Sequence, residues 1–320
     1  MIELKNVSKI YGQTKALDNV SFSVKRGEII GFVGPNGAGK TTAMKIITTY
    51  SLPTEGSVKV GGYDVTANPI EVQKMIGYLP ETVPLYADML VDEYLSFIGE
   101  ARHLNGNFKQ RRDWVIEACG LESVLHRKIA VLSKGYKQRT CLAQALIHDP
   151  DVLILDEPTS GLDPLQIIGI RKLIKDLSTK KTIIFSTHIL PEVATIADRI
   201  LVINKGKIVG DGTFEELRES VTKYNTLVLG VKGKKGDIEN SLKNIKAVQD
   251  VKVEQNTSTD EIRYKIFYES GADILEDINA ILRERKLDVV TLHHEKLSLE
   301  DSFIRLTGED KEASREGGVK

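Results

Sequence analysis

The sequence predicts an α/β protein in which a mixed β-sheet carries a phosphate-binding loop, followed by a smaller α+β unit. A glycine-rich segment at residues 34–42 directly follows the apolar run 29–33, an arrangement of strand, loop and helix. Short, continuously apolar runs return at 152–155 and 182–185, as expected for parallel strands covered on both faces. Beyond residue 225, strand-like and helix-like segments alternate in a different order, which indicates a second unit.

Length and composition agree with this organisation. The chain has 320 residues, which predicts about two domains, and 41% of them are hydrophobic. The net charge is −1, so the chain offers no general attraction for nucleic acids or anionic membranes, and we expect no nucleic-acid partner. No run approaches the roughly 18 apolar residues of a membrane-spanning helix, and the first residues show no signal-peptide pattern. We therefore expect a cytoplasmic chain. Its two cysteines, Cys119 and Cys141, are expected to be buried free thiols.

The first 30 residues alternate apolar and polar side chains, most clearly at Val20, Phe22 and Val24, which predicts antiparallel strands with one buried face. After the glycine-rich loop we predict a helix that continues towards Pro53, where a proline ring stops it. Residues from about 84 to 135 have helical spacing and predict a helical subdomain. We assign residues 1–224 to this first domain.

The glycine-rich loop predicts a nucleotide site. Its glycines allow successive N–H groups to turn towards an anion, and the following helix adds its positive N-terminal end. In this arrangement Lys40 reaches the β- and γ-phosphates and the Thr41 hydroxyl is a ligand of Mg²⁺. The residues predicted to bind the phosphates of ATP or GTP are Gly34, Asn36, Gly37, Gly39, Lys40, Thr41 and Thr42.

Two carboxylates end the apolar run at 152–155. Asp156 is placed to hold Mg²⁺, and Glu157 to orient and polarise the water that attacks the nucleotide. A further helix begins after Leu132, because Leu142, Ala145 and Leu146 have helical spacing. The N–H groups of Ser133 and Gly135 at its start form a second phosphate-binding end. A single chain does not easily bring this second end to its own phosphate loop.

The second unit, residues 225–307, has predicted strands and helices in the order β-α-β-β-α-β, at 226–231, 238–245, 248–254, 262–268, 274–285 and 287–293. This order predicts a small ferredoxin-like domain. We expect a last helix at 299–306 and a disordered tail at 308–320, which is charged and glycine-bearing.

Several motifs in a fixed order resemble the ATPase subunits of ABC transporters. They are the phosphate loop, the signature turn at 132–139, the segments 156–159 and 160–163, and His188. The resemblance covers residues 1 to about 220. It implies ATP as the nucleotide, a separate integral membrane permease, and a location on the cytoplasmic face of the membrane. It also implies a second ATPase subunit, a homodimer here, in which each ATP lies between one subunit's phosphate loop and the other's Ser133 and Gly135.

The resemblance implies further roles for single residues. His188 bridges Glu157 and the γ-phosphate as a hydrogen-bond donor, and Tyr11 stacks on adenine. Asp163 belongs to the loop that links the two ATP sites across the dimer. Glu81 stands where the family generally has a glutamine that senses Mg²⁺ and the membrane subunit, and its carboxylate remains a suitable ligand.

The signature turn departs from the family pattern at two positions. Lys134 replaces the usual glycine, and Tyr136 replaces the usual glutamine. The sequence allows two interpretations of Lys134: the side chain adds a cation near the phosphates, or it projects into solvent.

The segment 298–303 is similar to a closing segment of ATPases from ABC-2-type exporters, including drug-resistance and gliding-motility-associated members. This narrower resemblance implies export. In the family, the region 84–104 forms the groove for the permease's coupling helix; the alternative is an amphipathic surface helix without a partner.

Two other functions are weighed against transport. A soluble ABC-type ATPase that acts on ribosomes or DNA is disfavoured, because the chain has one phosphate loop and one signature turn and no room for a long coiled coil between Lys40 and Asp156. A GTPase is disfavoured because Asn204 and Lys205 are followed by Gly206 and Lys207 and not by a guanine-specifying element. The transported substrate is not encoded in this chain, since selectivity belongs to the membrane subunits.

Overall fold

A computed structural model describes residues 1–104, 106–187, 190–221, 224–232, 238–255, 261–269 and 271–295. The chain divides into two compact units, Met1–Phe214 and Glu215–Lys320, and each contains its own cluster of buried apolar side chains. The boundary that we predicted between residues 224 and 225 falls inside the second unit, after a helix at Phe214–Val221. No helix within these ranges is long and apolar enough to cross a lipid bilayer.

The strands of the first unit are β1 (Ile2–Tyr11), β2 (Thr14–Val24), β3 (Ile29–Val33), β4 (Glu55–Val60), β5 (Tyr63–Asp64), β6 (Ile76–Leu79), β7 (Val152–Asp156), β8 (Thr182–Thr187), β9 (Arg199–Asn204) and β10 (Lys207–Gly212). Its helices are α1 (Lys40–Ile47), α2 (Pro69–Met75), α3 (Val91–Ala101), α4 (Phe108–Cys119), α5 (Lys134–Leu146), α6 (Pro164–Ser178) and α7 (Leu190–Ile196).

These strands form two sheets. The first has the order β2-β1-β4-β5 and antiparallel pairing, and Val20, Phe22 and Val24 on β2 are buried as the alternation predicts. The second has the order β10-β9-β3-β8-β7-β6. Its strands from β9 to β6 are parallel, while β10 is antiparallel to β9, which confirms the predicted mixed sheet. The apolar runs of β3, β7 and β8 are buried throughout, as expected for strands covered on both faces.

Helix α1 is shorter than predicted. It ends at Ile47 and does not continue towards Pro53. The Thr48 hydroxyl donates a hydrogen bond to the Met44 carbonyl at 2.9 Å, and Thr49 has a φ of +64°, a left-handed conformation that no helix can continue through. The backbone conformation of Thr49 therefore ends the helix, four residues before Pro53.

The region between β6 and β7 is helical, as predicted. It contains α3, α4 and α5 and two short 3₁₀ turns, Glu122–Val124 and Ile129–Val131. Cys119 and Cys141 are free thiols buried in α4 and α5, and burial raises the pKa of each to about 12. Neither thiol is a nucleophile at neutral pH in this environment.

The second unit contains α8 (Phe214–Val221), which begins at the boundary, β11 (Tyr224–Lys232), α9 (Glu239–Lys243), β12 (Val248–Gln255), β13 (Glu261–Glu269), α10 (Leu275–Arg285) and β14 (Val289–Glu295). Its sheet has the order β12-β13-β11-β14, and every described pair is antiparallel. From β11 onward the element order is the predicted β-α-β-β-α-β, with the second and third strands adjacent and the first strand between the third and the fourth. The helix and tail predicted after residue 298 lie outside the described residues.

Candidate nucleotide site

The candidate site is a cavity of about 310 Å³ at the carboxyl ends of strands β3 and β7. The loop after β3 forms one side, and residues after β6 and β7 form the other. Parallel strands end at the same edge of a sheet, so they bring these separate segments together. The cavity is lined by Ala16, Asn36, Gly37, Ala38, Gly39, Lys40, Thr41, Thr42, Glu81, Asp156 and Glu157.

The glycines of the loop have two distinct roles. Gly37 and Gly39 have φ values of +78° and +113°, which side chains rarely adopt, and both line the cavity. Gly34 is not part of the lining. A Cβ atom at Gly34 would lie 2.3 Å from the Ile203 carbonyl oxygen, so this glycine allows the loop to approach β9 closely.

Lys40 is the buried cation of the cavity. Lys40 is the first residue of helix α1. Its ammonium donates hydrogen bonds to the carbonyl oxygens of Gly34 at 2.7 Å and Pro35 at 3.2 Å. Burial lowers the pKa of Lys40, and the nearby charges of Glu157, Asp156 and Glu81 partly oppose this shift. The loop thus holds a positive charge at the place where a phosphate would lie.

Asp156 ends strand β7 and is completely buried. Its Oδ1 atom accepts a hydrogen bond from the Ser186 hydroxyl at 2.5 Å. Its Oδ2 atom is buried and has no hydrogen-bond partner among the described residues. A buried carboxylate oxygen without a partner is costly, which favours a cation as its missing partner.

The residues around this oxygen fit Mg²⁺. Thr41 and Glu81 line the same cavity as Asp156, and hydroxyl and carboxylate oxygens are ligands that Mg²⁺ prefers. Within the described ranges, no group of three or more His, Cys, Asp or Glu residues is arranged to hold a metal ion. An ion here would therefore depend on nucleotide phosphates and water for the rest of its ligands, as is usual for Mg²⁺ in phosphoryl-transfer sites.

Glu157 follows Asp156 and has a φ of +51°, unusual for a residue with a side chain. It is nearly buried and lines the cavity. Its backbone N–H donates a hydrogen bond to the Ser186 hydroxyl at 2.9 Å. The carboxylate predicted to orient water therefore lies in the same cavity as the loop predicted to hold the phosphates.

The signature turn lies outside this cavity lining. Ser133 is the N-cap of α5, where its hydroxyl accepts a hydrogen bond from the Tyr136 N–H at 3.4 Å. Gly135 is buried against α6: a Cβ atom there would lie 2.5 Å from the Gln166 Oε1 atom. The Lys134 side chain lies across Gly161, so its stem packs on the neighbouring loop, while the residue as a whole is exposed.

Two other predicted residues, Asp163 and Tyr11, are described and are not in the cavity lining. Asp163 is the N-cap of α6, and its carboxylate accepts a hydrogen bond from the Gln166 N–H at 2.9 Å. Tyr11 is 48% exposed at the end of β1, and the Lys9 ammonium lies 5.0 Å from the centroid of its ring. His188 lies outside the described residues. The roles assigned to these three residues stay predictions.

Sequence reasoning missed four residues at the site. Ala16 and Ala38 line the cavity through small side chains that carry no chemical signal. Ser186 contacts both Asp156 and Glu157, and Gln138 of α5 donates a hydrogen bond to the Glu157 carbonyl at 3.5 Å. The sequence shows Ser186 only as a polar residue at the end of an apolar run, and its position opposite Asp156 follows from the strand pairing.

Comparison with known proteins gives a consistent result. A family model described as ABC transporter matches residues 17–160. The chain is 32% identical over 310 residues to the bacitracin transport ATP-binding protein BcrA of Bacillus licheniformis, covering 96% of this chain and 97% of the relative. It is 31% identical to the linearmycin resistance ATP-binding protein LnrL of Bacillus subtilis, covering 96% and 98%.

A similar solved structure is a dimeric ATP-binding cassette in a post-hydrolysis state, bound to ADP and Pi. It superposes with a TM-score of 0.60 at 29% identity and covers 67% of this chain and 98% of that one. The fold and the similarity over nearly the whole chain therefore indicate the same family.

Proposed function

Because this chain belongs to the ABC transporter family as an ATP-binding subunit with ATPase activity, we propose that the cavity described above is where it hydrolyses ATP. The observation that carries the proposal is the convergence of three segments in one cavity: the loop with Lys40, the residue Glu81, and the pair Asp156 and Glu157. This set contains a cradle for phosphates, a buried cation and a carboxylate able to orient water.

In the proposed reaction, water attacks the γ-phosphorus, and the bond between that phosphorus and the β–γ bridging oxygen breaks with its electron pair leaving on ADP. The proton that the attacking water loses ends on the phosphate product. Glu157 orients the water and polarises it as its oxygen approaches phosphorus. The loop N–H groups and Lys40 stabilise the negative charge that develops on the phosphate oxygens. Preorganised donors in a confined site have a larger effect than the same groups in water.

Mg²⁺ is the ion that we propose for this site, with Thr41 and Asp156 as the residues that hold it and Glu81 close to it. When bound, the ion would neutralise charge on the β- and γ-phosphates. The Oδ2 atom of Asp156, which has no hydrogen-bond partner within the described part of the chain, supports this assignment. Glu81 adds negative charge beside the phosphates, which a bound divalent cation would compensate.

We propose that two copies of the chain form two ATP sites. Ser133 and Gly135 present the N-terminal end of α5 outside the chain's own cavity lining, where a phosphate bound to a second copy could meet it. The related cassette bound to ADP and Pi is dimeric, which supports this arrangement. In the dimer, His188 would donate to the γ-phosphate, Tyr11 would stack on adenine, and Asp163 would lie in the loop between the sites.

The partner that we propose in the membrane is a separate permease, which places the ATPase on the cytoplasmic face. Glu81, Thr41 and Asp156 line both the nucleotide cavity and an adjoining cavity of about 460 Å³, so Glu81 lies between the two. Near this cavity, Tyr86 and Phe97 form an exposed edge-to-face pair with centroids 5.6 Å apart. Exposed aromatic side chains of this kind are typical anchors for a partner helix.

Export is the proposed direction of transport. One relative is named for bacitracin transport and another for linearmycin resistance, and removal of a toxic compound accounts for resistance. The substrate of this chain's own transporter is a property of the permease.

Affinity purification of the tagged chain in mild detergent from its native host, with mass spectrometry of co-purifying proteins, tests the proposed partner. We expect one polytopic membrane protein in stoichiometric amount, and weaker recovery of it when Tyr86 and Phe97 are both changed to Ser. Thr66→Ser, at an exposed turn, is the matched control. Recovery of ribosomal or DNA-associated proteins in place of a membrane protein would contradict the proposal.

A further inference from the structure

We propose that Ser186 and Gln138 are positioning residues that hold the backbone of Glu157 and thereby direct its carboxylate into the cavity. The inference rests on the hydrolytic role proposed above for Glu157. Both side chains are polar and buried, and neither lines the cavity itself.

The backbone of Glu157 requires support. Its φ of +51° lies in the left-handed region, where a residue with a side chain is strained. Such a conformation persists only when neighbouring contacts fix it. If the support is lost, the peptide is free to relax towards a right-handed or extended conformation, and the carboxylate moves with it. A displacement of about 1 Å in a catalytic group can reduce the rate about a hundredfold.

Ser186 contributes to this support through the Glu157 N–H. It lies directly opposite Asp156 in the parallel pairing of β7 and β8, and it is fully buried. Its hydroxyl accepts the Glu157 N–H at 2.9 Å and donates its own proton to Asp156 Oδ1 at 2.5 Å. A single hydroxyl therefore fixes the distance between the carboxylate proposed to hold Mg²⁺ and the peptide that carries the water-orienting carboxylate.

Gln138 contacts the carbonyl group of Glu157, whereas Ser186 contacts its N–H group. Gln138 is 2% exposed, and its amide donates to the Glu157 carbonyl oxygen at 3.5 Å. The same oxygen accepts the Ser160 N–H at 3.1 Å, so Gln138 is the longer and weaker of the two donors. We therefore expect a smaller effect from Gln138 than from Ser186.

The position of Gln138 on α5 adds a consequence for the two-site arrangement. Helix α5 begins beside Ser133, the end proposed to meet the phosphate of a second copy. A shift of this helix on meeting that phosphate would reach Glu157 of the same chain through Gln138.

The test is single-turnover ATP hydrolysis, with ATP affinity measured separately on the full chain. We expect Ser186→Ala to lower the hydrolysis rate by roughly ten- to a hundredfold with an ATP Kd within about threefold of wild type. Gln138→Leu, which keeps the side-chain volume, is expected to lower the rate by about two- to tenfold. The matched control is Thr182→Val: Thr182 is equally buried on β8, and its hydroxyl accepts the Gly27 N–H at 3.0 Å, far from the cavity lining.

The decisive measurement combines Ser186→Ala with Glu157→Gln. If Ser186 acts through Glu157, the double variant hydrolyses ATP no more slowly than Glu157→Gln alone, because residues that act as a unit are not additive. A multiplicative loss in the double variant, or an equal loss in Thr182→Val, would overturn the inference. If Glu157→Gln hydrolyses ATP like wild type, it is the proposed role of Glu157 that fails, and the two failures are distinguishable.

Discussion

At the scale of single residues, the cavity combines groups that are costly to bury. Lys40, Asp156 and Glu157 are each less than one-tenth exposed, and the charges of the two acids oppose the effect of burial on the pKa of Lys40. An anionic ligand that brings a metal ion would stabilise this cluster, because the Asp156 Oδ2 atom, without a partner among the described residues, would then acquire one. Substitutions at these positions are therefore expected to affect binding and chemistry differently.

The Glu157→Gln variant separates the effect on ATP binding from the effect on ATP hydrolysis. The amide has the same shape as the carboxylate but is not able to polarise water as a base. We expect ATP to bind with near-normal affinity and hydrolysis to fall by roughly a hundredfold or more. Phosphate release and equilibrium ATP binding measure the two quantities on the same preparation. Hydrolysis close to the wild-type rate would remove Glu157 from its proposed role.

His148 predicts a pH dependence of stability. Its Nε2 atom lies 3.1 Å from the Ile76 carbonyl oxygen, and its buried Nδ1 has no partner among the residues described. Burial, reinforced by the charge of Arg102, lowers the pKa of His148 to about 4. Between that value and the pKa of about 6.5 in the unfolded chain, only the unfolded state binds the proton. Stability from this group is therefore present above pH 6.5 and is lost as the pH falls towards 4.

His148→Gln tests this prediction, because the glutamine amide can still donate to the Ile76 carbonyl. Between pH 7 and pH 5 we expect the free energy of unfolding of wild type to fall by about 2 kcal/mol more than that of the variant. Urea unfolding at both pH values gives the comparison. Equal losses in the two proteins would contradict the prediction.

At the scale of elements, one side chain joins α4 to the end of α5. The Arg111 guanidinium donates to the carbonyl oxygens of Leu146 at 2.8 Å and Ile147 at 3.2 Å, and it stacks on Trp114 at 4.5 Å from the ring centroid. It therefore satisfies carbonyl groups that the end of α5 leaves without helical partners.

Arg111→Lys keeps the charge but loses the planar fork that makes both bonds. We expect the free energy of unfolding to fall by about 1–2 kcal/mol, whereas Lys109→Ala, at an exposed position of the same helix, changes it by less than about 0.5 kcal/mol. Chemical denaturation measures both. A loss in Lys109→Ala as large as in Arg111→Lys would show that α4 is sensitive to any change.

The elements differ in how far the sequence predicts them. The strands β3, β7 and β8 were predicted because a buried parallel strand is a local pattern, a short apolar run. The end of α1 was misplaced, since the left-handed conformation of Thr49 has no clear sequence signal and Pro53 has a strong one. Except for Ala16 and Ala38, the lining of the cavity followed from recognisable motifs. The role of Ser186 did not, because its contacts depend on the register between two strands that are distant in the chain.

At the scale of the whole molecule, the proposed dimer makes ATP part of the interface. A protein that binds ATP but hydrolyses it slowly should accumulate in the associated form, since hydrolysis is what releases the two copies. We expect Glu157→Gln to become dimeric on addition of ATP and Mg²⁺, as measured by light scattering after gel filtration, and to stay monomeric with ADP.

Ser133→Arg in the Glu157→Gln background is expected to prevent this association, because a large side chain at the exposed start of α5 blocks the second phosphate-binding end. Thr66→Arg, at an exposed turn of the same unit, adds the same charge and is expected to leave association unchanged. ATP-independent dimerisation, or equal behaviour of the two arginine variants, would argue against the proposed interface.

The sheet order has a consequence for how the protein is made. Strand β3, which delivers the phosphate loop, lies between β8 and β9, and both of these neighbours are encoded far downstream of it. During synthesis, the apolar run of β3 therefore leaves the ribosome before β8 and β9, its two neighbours in the sheet, have been made. The nucleotide cavity gains its second wall only after Glu157 has emerged, and β3 is not enclosed until the chain has passed Asn204. Until then β3 is an apolar strand with unpaired edges, the kind of segment through which incompletely folded chains aggregate.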